Sequence, residues 1–393
     1  MTPSARVQAA IELLDAIVAA AREGGAAADT LAARYFKARR YAGSKDRRAI
    51  RELVFRAIRR AGERPVSGRA AMLGLARDEP ELLERFDGSP HAPAPVGEGE
   101  AAAAAGIAPA WLVDRFDPVV AAEELPALLD RAPLDLRVNT LRGTRAAAMA
   151  ALPEARATPH SPIGLRLPEG SRVEAAEPWR AGLVEVQDEG SQLVCLACEP
   201  RPDMLAVDLC AGAGGKTLAI AAAMEDRGRI VACDADRARL ARIPARLERA
   251  GVSVVERRLL DPGAEAAALA DLAEQADLVL VDAPCSGTGT WRRNPETRWR
   301  ASPERLERLV RLQAHLLDIA GELVRPGGHL VYAVCSLLAE EGRDQAEALA
   351  GRSSLVPEPL AMAAGRCSGS GRLLSPARDG TDGFFVARWR RSC

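Results

Sequence analysis

The chain has 393 residues, of which 48% are hydrophobic, and a formal charge of -1 from 53 Lys and Arg against 54 Asp and Glu. This length predicts two or three domains of ordinary globular composition, and the charge balance by itself gives no indication of a nucleic-acid partner. No stretch is long and apolar enough to span a membrane and none has the pattern of a secretory signal, so a cytoplasmic protein is expected.

The first 130 residues predict an all-helical domain, because apolar residues recur at helical spacing and no clear strand pattern occurs. The predicted helical stretches are 5–23, 28–36, 46–61, 66–86 and 107–131, the last with Pro109 near its start. A stretch rich in Pro, Gly and Ala, 87–106, interrupts them and is expected to be a loop or a linker.

Cationic side chains are concentrated between Arg34 and Arg69, although the chain as a whole is balanced. This segment contains 13 Lys or Arg residues, and the acids that oppose them are Asp46, Glu52 and Glu63. The excess could bind the phosphates of a nucleic acid, or it could belong to a solvated helix face.

A small α+β subdomain is expected over 131–190, where 134–142 and 183–186 have strand character. From residue 191 onward, apolar runs alternate with helical stretches such as 216–225 and 303–324, which is the pattern of an α/β doubly wound parallel sheet. Near-continuous apolar runs are typical of strands that are buried on both faces. The predicted strands are 204–209, 229–234, 252–257, 277–282, 328–334 and 384–389.

A glycine-rich turn follows the first of these strands and reads Asp208-Leu-Cys-Ala-Gly-Ala-Gly-Gly-Lys-Thr217. Its glycines would let a cofactor approach the backbone closely. The next strand ends at Asp234, whose carboxylate can accept hydrogen bonds from both hydroxyls of a ribose, and Asp261 follows the third strand, where it could bond an adenine amino group. An adenosine cofactor is expected, but this pattern alone does not separate a nicotinamide cofactor from S-adenosylmethionine.

Two of the eight cysteines follow predicted strands at the same edge of the sheet as the glycine turn. Cys285 lies in the stretch DAPCSGTG (282–289), and Cys335 lies in YAVCS (332–336). Methylation of cytosine carbon 5 needs a thiolate that adds to carbon 6, a group that assists its release, and an acid near ring nitrogen 3. Two thiols and Asp282 supply these parts, which favours S-adenosylmethionine as the cofactor.

The other cysteines favour structural roles, and reduced thiols are expected throughout. Cys195 and Cys198 form a CxxC pair, but no second pair of ligands follows, so both are expected to face the core of a helix rather than bind a metal.

Taken together, the motifs resemble those of the Sun/Fmu-type (RsmB-type) RNA cytosine-5 methyltransferases. The N-terminal segment 39–60 looks like the helical NusB-like domain that the ribosomal members carry. The matching stretches run in family order and are LRVNTLR (136–142), VQDEGSQLV (186–194), DLCAGAGGKT (208–217), DAPCSGTG (282–289), RRNPETRW (292–299), PGGHLVYAVCSL (326–337) and DGFFVARW (382–389).

The resemblance implies a Rossmann-like class I methyltransferase domain over 191–393, preceded by the small α+β subdomain and by an all-α NusB-like RNA-binding domain over 1–130. Cys335 would be the nucleophile, Cys285 would promote release of the methylated product, and Asp282 would contact the target cytosine. The S-adenosylmethionine pocket would be lined by Cys210, Ala211, Gly212, Ala213, Gly214, Gly215, Lys216, Asp234, Asp261 and Asp282. The residues that would contact RNA or shape the pocket are Arg137, Asn139, Arg292, Arg293 and Arg298.

The implied substrate is 16S ribosomal RNA of the small subunit, with the target cytosine extruded into the cleft. A monomer that needs neither a metal nor a membrane is expected. Three alternatives stay open: a transfer RNA substrate, a nicotinamide oxidoreductase, and a non-catalytic RNA-binding scaffold with a methyltransferase-like fold. The oxidoreductase is disfavoured because no convincing hydride-transfer pair occurs and His315 lies within a predicted helix. Two positions depart from the family pattern, because Ala213 replaces a proline of the turn and Val334 replaces the threonine before the nucleophile.

Overall fold

The computed structural model describes residues 1–168 and 170–392, so Glu169 and Cys393 lie outside the described residues. Within these ranges no helix has the length and apolar character that crossing a membrane requires. The chain forms two compact units, a helical unit and a sheet unit. The helical unit comprises 1–116, 125–131 and 290–305, and the sheet unit comprises 117–124, 132–289 and 306–392.

Apolar side chains of its three longest helices and of a fourth, shorter helix form the core of the helical unit. Its helices are α1 (Pro3–Glu23), α2 (Ala28–Ala38), α3 (Ser44–Arg60), α4 (Gly68–Ala76) and α5 (Ala110–Val113), with 3-10 helices at Pro80–Arg85 and Pro295–Arg300. Leu13 of α1, Ile50 of α3 and Met72 of α4 are fully buried in one cluster. The helices predicted over 5–23, 28–36 and 46–61 are therefore confirmed.

The helix predicted over 107–131 is wrong for most of its length. This fully described stretch contains the single turn of α5 and a 3-10 helix at Ala122–Leu129. Pro118 and Pro126 lack an amide proton, so an α-helix cannot continue through either position without losing a hydrogen bond.

Segment 87–106 is a loop, as predicted, but it does not link domains. Ala103 N donates to Ala70 O at 2.9 Å, and Gly106 N donates to the carbonyl at the end of α3 at 3.0 Å. Arg69 forms an ion pair with Glu100. Because these contacts lie within the helical unit, the linker interpretation of this segment is wrong.

Residues 290–305, expected in the catalytic domain, belong instead to the helical unit. Trp299 is buried in its core, and the indole nitrogen donates to Ala61 O at 2.9 Å. Arg298 is fully buried and donates to the carbonyls of Ile58 at 2.5 Å and Ala61 at 2.8 Å. The last carbonyls of a helix have no intrahelical partner, so Arg298 caps α3. The expected contact of Arg298 with RNA is therefore wrong.

A small antiparallel sheet of order β2–β3–β1–β4 opens the sheet unit. Its strands are β1 (Leu134–Val138), β2 (Arg156–Ala157), β3 (Gly164–Leu167) and β4 (Val184–Val186), and its helices are α6 (Arg145–Ala151) and α7 (Glu177–Arg180), with a 3-10 helix at Val173–Ala175. Leu136 faces Leu165 across the β1–β3 pair, and both are fully buried. This sheet lies within the expected 131–190 segment, but it packs as part of the same unit as the large sheet.

The large sheet has the order β11–β12–β13–β9–β8–β5–β6–β7, and β10 pairs with β13. Its strands are β5 (Leu205–Asp208), β6 (Arg229–Asp234), β7 (Val255–Leu259), β8 (Ala276–Asp282), β9 (Val324–Val334), β10 (Leu355–Glu358), β11 (Arg366–Ser368), β12 (Gly371–Leu374) and β13 (Phe384–Arg391). The strands from β5 to β9 pair in parallel, whereas β13 pairs antiparallel with β9. The sequence missed β10, β11 and β12 and placed β7 about three residues too early.

Helices cover both faces of the large sheet, so its central strands are buried on both sides. Val207 and Val279 on neighbouring strands have no exposed surface. The remaining helices are α8 (Glu189–Ala197), α9 (Gly215–Ala223), α10 (Arg237–Leu240), α11 (Ile243–Ala250), α12 (Glu265–Ala268), α13 (Pro303–Leu323), α14 (Arg343–Arg352) and α15 (Pro376–Asp379), with 3-10 helices at Ala270–Leu272 and Thr288–Thr290. Because β5 to β9 are parallel, their carboxyl ends meet along one edge, where ligands bind in open sheets of this kind.

Candidate active site

The glycine turn between β5 and α9 forms an open cradle at this edge. Gly212 and Gly214 have φ angles of 56° and 83°, a region that only glycine adopts without strain. Ala211 N donates to Cys233 O at 2.8 Å, which fixes the turn against the end of β6. A Cβ atom added at Gly212 or Gly215 would meet no heavy atom within 4 Å. The turn therefore borders free space that a cofactor can fill.

The turn is held in shape although Ala213 replaces proline. Arg246 of α11 donates to Ala213 O at 2.7 Å, and the same guanidinium forms an ion pair with Glu185 at 3.1 Å. Glu185 is buried and also pairs with Arg249. The side chain of Arg246 thus supplies an anchor for the residue that lacks a fixed φ angle.

Carboxylates border the cradle on the side of β6 and β7. Asp234, at the end of β6, accepts hydrogen bonds from Gly212 N at 2.7 Å and Asp236 N at 2.6 Å, one on each oxygen. Each of these oxygens keeps a lone pair for a hydroxyl. Asp261 follows β7 and is exposed, and Leu260 N donates to Asp234 O at 3.0 Å. The open cradle and this pair of acids fit the adenosine part of S-adenosylmethionine.

Lys216 at the start of α9 and Asp282 at the end of β8 form a partly buried ion pair. Lys216 Nζ lies 2.6 Å from Asp282 Oδ2, and it also lies 5.3 Å from the centre of the Phe384 ring. Burial is the largest effect and by itself lowers the pKa of Lys216, but the charge and hydrogen bond of Asp282, together with Cys195 and Cys335, raise the pKa overall. The ammonium therefore stays charged, and its charge also acts on Cys335.

The thiols of Cys285 and Cys335 meet at the ends of β8 and β9. Their Sγ atoms are 3.3 Å apart, and both side chains are partly accessible. The hydrogen bond to Cys335, together with burial, raises the pKa of Cys285 well above its usual value. Cys285 is therefore a neutral thiol. The sequence prediction that the two thiols share one edge with Asp282 agrees with this geometry.

A buried carboxylate that sequence reasoning missed holds the two cysteine loops together. Glu341 has no exposed surface and accepts hydrogen bonds from Ser286 N at 2.8 Å, Ser336 Oγ at 2.6 Å and Gln313 Nε2 at 3.0 Å. The Ser286 hydroxyl donates to it as well. Each serine directly follows one of the two cysteines, so Glu341 fixes the separation of the sulfur atoms. In the sequence only its position, six residues after Cys335, could have pointed to it.

Asp208, at the end of β5, is buried below the glycine turn. Its Oδ2 accepts from Thr217 Oγ1 at 2.6 Å, whereas Oδ1 has no partner among the described residues. Burial, reinforced by the nearby charge of Asp282, raises the pKa of Asp208 to about 7. Burial, with the charge of Asp208 second, also raises the pKa of Cys210 well above its usual value, so this thiol stays neutral beside the cradle.

Replacing Asp208 by asparagine is expected to change how stability depends on pH. The folded-state pKa of about 7 exceeds that of the unfolded chain, so the folded protein binds a proton that the unfolded chain releases. Stability is therefore lost as pH rises toward 7. The introduced amide does not titrate, so the stability of the Asp208→Asn variant relative to the parent should grow by roughly 2 kcal/mol between pH 5 and pH 8 in denaturant melts. Parallel curves for the two proteins would contradict the assignment.

Several residues expected near the substrate lie elsewhere. Arg137 is buried and donates to Gln187 Oε1 at 2.6 Å. Asn139 is buried and donates to the carbonyls of Gly182 and Ala250, each at 2.9 Å. Of the two expected roles of Arg137 and Asn139, contact with RNA is therefore wrong, because both side chains are buried and support the small sheet, whereas a role in shaping the pocket stays a prediction.

Two other cysteines and one histidine that the sequence singled out have structural contacts. Cys195 and Cys198 are buried on α8 and at its end, which confirms that both face the core. His315 bonds Glu265 at 3.4 Å on the sheet unit. Among residues 1–168 and 170–392, no group of three or more His, Cys, Asp or Glu side chains is arranged to hold a metal ion.

Comparisons with known proteins show that the chain is similar to methyltransferases. A family model described as 16S rRNA methyltransferase RsmB/F matches residues 195–390. Ribosomal RNA small subunit methyltransferase B of Salmonella typhi is 34% identical over 287 residues, which are 71% of this chain and 65% of that protein. The probable ribosomal RNA small subunit methyltransferase B of Synechocystis is 33% identical over 304 residues, which are 72% of this chain and 67% of that protein. The chain thus spans just under two thirds of the Salmonella protein.

A solved structure gives the same result for the fold. The crystal structure of a methyltransferase homolog protein from Pyrococcus horikoshii superposes with a TM-score of 0.61 and 27% identity, covering 68% of this chain and 89% of that one. The predicted Rossmann-like methyltransferase fold is confirmed.

Proposed function

This chain belongs to the family of 16S rRNA methyltransferases RsmB/F, and on that premise we propose that it methylates carbon 5 of a cytosine in 16S ribosomal RNA through a cysteine–cytosine intermediate. S-adenosylmethionine is the cofactor that this membership indicates. The observation that carries the proposal is the pair of sulfur atoms, 3.3 Å apart, at the parallel strand ends that also carry Asp282. Methylation of an amino group or a hydroxyl needs no such pair, because those atoms are already nucleophilic.

The cradle and its acids are the residues that would hold the cofactor. Asp234 offers its two oxygens to a ribose, Asp261 lies at the next strand end, and Gly212 and Gly215 leave the space that the bound molecule requires. When bound there, S-adenosylmethionine supplies an electrophilic methyl group. The residues that line the pocket in this proposal are those of the turn from Cys210 to Lys216, with Asp234, Asp261 and Asp282.

Cys335 is the nucleophile in the proposed reaction. Its thiolate forms a bond to carbon 6 of the cytosine, and the ring electrons that move as a result make carbon 5 nucleophilic. The Lys216 ammonium interacts electrostatically with this sulfur. Asp282, held by Lys216 at 2.6 Å, is the group that addresses ring nitrogen 3. The negative charge that develops there after the attack is stabilised by a proton that the Lys216–Asp282 pair shares and that Asp282 donates to the ring nitrogen.

Cys285 serves the second half of the reaction. Once carbon 5 carries the methyl group, its proton must leave and the bond between carbon 6 and Cys335 Sγ must break. Cys285 Sγ lies 3.3 Å from Cys335 Sγ, and its raised pKa keeps it protonated during the attack. In the release step its proton passes to the departing Cys335 sulfur, and the Cys285 thiolate formed in this way takes the carbon 5 proton while the ring double bond forms again. This division of roles gives each thiol one step.

Bisulfite sequencing of 16S ribosomal RNA, with and without this protein, tests the substrate. The expected result is a cytosine that resists conversion only when the active protein is present. A cytosine in transfer RNA that resists conversion only in the presence of the protein would show that transfer RNA is the substrate. If the protein changed the conversion of no RNA, the proposal would be refuted. The NusB-like character of the helical unit, the cytoplasmic location and the monomeric state stay predictions.

Replacing Glu341 by glutamine is expected to lower kcat roughly tenfold to a hundredfold, because a misplacement of about 1 Å in a reacting group can cost this much. One end of the glutamine amide donates instead of accepting, so the Ser286 and Ser336 hydroxyls lose an acceptor and the two sulfur atoms separate. The KM for S-adenosylmethionine should stay within about twofold, since the cradle does not contact this network. Steady-state kinetics with labelled cofactor separates kcat from KM.

Glu347→Gln is the matched control, because it changes an exposed acid on α14, six residues further along the chain. It should retain parental kcat. An E341Q enzyme with parental kcat, or one that loses kcat only in proportion to lost folded protein, would show that Glu341 does not position the thiols.

A further inference from the structure

A cavity on the helical unit has aromatic walls and opens beside the turn between α2 and α3. Its volume is about 570 Å³, and its walls include Gln8, Tyr35, Tyr41 and His91. Tyr35 is fixed, because its hydroxyl bonds Glu12 at 2.8 Å and Arg39 covers its ring at 3.8 Å. Tyr41 is 74% exposed, so one aromatic ring at this cavity is available to stack with a flat ligand.

The cationic side chains between Arg34 and Arg69 differ in whether an acidic side chain pairs with them. Arg39 pairs with Glu12 at 3.0 Å, and Arg60 pairs with Asp78 at 2.7 Å. In the described part of the chain, the following exposed side chains form no hydrogen bond or ion pair: Arg34, Lys37, Arg40, Lys45 and Arg48. Asp46, the one acid between residues 34 and 48, is occupied by Arg6 at 2.8 Å.

We propose that this surface binds a single-stranded stretch of RNA, with one base stacked on Tyr41 and the adjoining phosphates bound by Lys37, Arg40 and Lys45. All four residues lie within nine positions of the chain, at the end of α2, in the turn and at the start of α3. Unneutralised cations beside an exposed ring are the combination that single-stranded nucleic acid requires. The inference rests on the proposed function for RNA as the partner, and it adds a site that contains none of the methyl-transfer residues.

The arrangement selects single strands without reading their sequence. Every base offers a π face to Tyr41, and the cations contact the backbone that all sequences share. Paired RNA keeps its base faces stacked inside the helix and cannot offer one to this ring. Binding should therefore be weaker for a duplex and should fall as salt rises.

Fluorescence anisotropy of the full chain with a labelled single-stranded RNA of about 12 nucleotides, without cofactor, tests the site. Tyr41→Ala should weaken binding about tenfold and leave the salt dependence unchanged, whereas Tyr41→Trp should restore affinity. The triple variant K37Q/R40Q/K45Q should reduce the slope of log affinity against log salt by about 2, which corresponds to three lost phosphate contacts. The matched control R201Q/R227Q/R257Q removes three exposed arginines of the sheet unit and should bind RNA like the parent.

Equal affinities of the parent and of Tyr41→Ala, with unchanged thermal melts for both, would overturn the stacking site. Equal binding of a duplex would do the same. Binding of polyglutamate with the affinity and the Tyr41 dependence of RNA would assign the surface to an acidic protein instead. Because the measurement needs neither cofactor nor turnover, failure of methyl transfer would leave this result standing, and failure of RNA binding at Tyr41 would leave the thiol chemistry standing.

Discussion

Cys335→Ala is expected to reduce methyl transfer by at least about a thousandfold, while S-adenosylmethionine still binds. Without the sulfur no bond to carbon 6 can form, so carbon 5 never becomes nucleophilic. The cradle around Gly212 and Asp234 does not depend on this side chain. Transfer of labelled methyl to 16S ribosomal RNA measures the first effect, and isothermal titration of the cofactor measures the second.

Cys367→Ala is the matched control for this experiment, because Cys367 is an exposed free thiol on β11. It should keep the parental rate. A Cys335→Ala protein that still transfers methyl groups at a tenth of the parental rate or faster would exclude Cys335 as the nucleophile. Loss of cofactor binding together with activity would point to a collapsed site instead, and the melting temperature distinguishes that case.

Cys285→Ala is expected to trap the enzyme on its RNA. The attack by Cys335 is still possible, but the group that assists its departure is gone, so a covalent protein–RNA complex should accumulate and turnover should fall by at least about a hundredfold. The complex should survive denaturing gel electrophoresis. The structural reason is the 3.3 Å separation of the two sulfur atoms, which brings the second thiol to the bond that must break.

The double variant C285A/C335A controls for non-specific adducts and should give none. If Cys335→Ala rather than Cys285→Ala accumulated the complex, the roles of the two thiols would be reversed. If neither variant gave a complex while both lost activity, the release role of Cys285 would be refuted.

The helical unit changes how truncations of this chain should be designed. Trp299 and Arg298 come from the segment 290–305, but they pack against α3 and cap its end. Removing residues 1–130 would leave a buried tryptophan and a buried guanidinium without their partners. Point variants such as those at Tyr41 therefore test RNA binding more cleanly than deletion of the domain.

The sequence by itself determined the alternation of strands and helices from β5 to β9 and the edge of the sheet where the chemistry lies. Apolar runs identify strands buried on both faces, and parallel strands bring the residues that follow them to one edge whatever the details of packing. That is why the sequence alone could place Asp234, Asp282, Cys285 and Cys335 together. The glycine turn could be located because glycine adopts positive φ angles without strain, as Gly212 and Gly214 do.

Only the tertiary structure decided which polar side chains face solvent and which satisfy buried partners. Arg137 and Arg298 look like RNA contacts in the sequence, yet both are buried among groups distant along the chain. Glu341 looks like an ordinary surface acid, yet it holds both cysteine loops. Sequence patterns record whether a position is apolar, whereas the partner of a buried charge is set by contacts between remote segments. Those contacts exist only after the chain has folded.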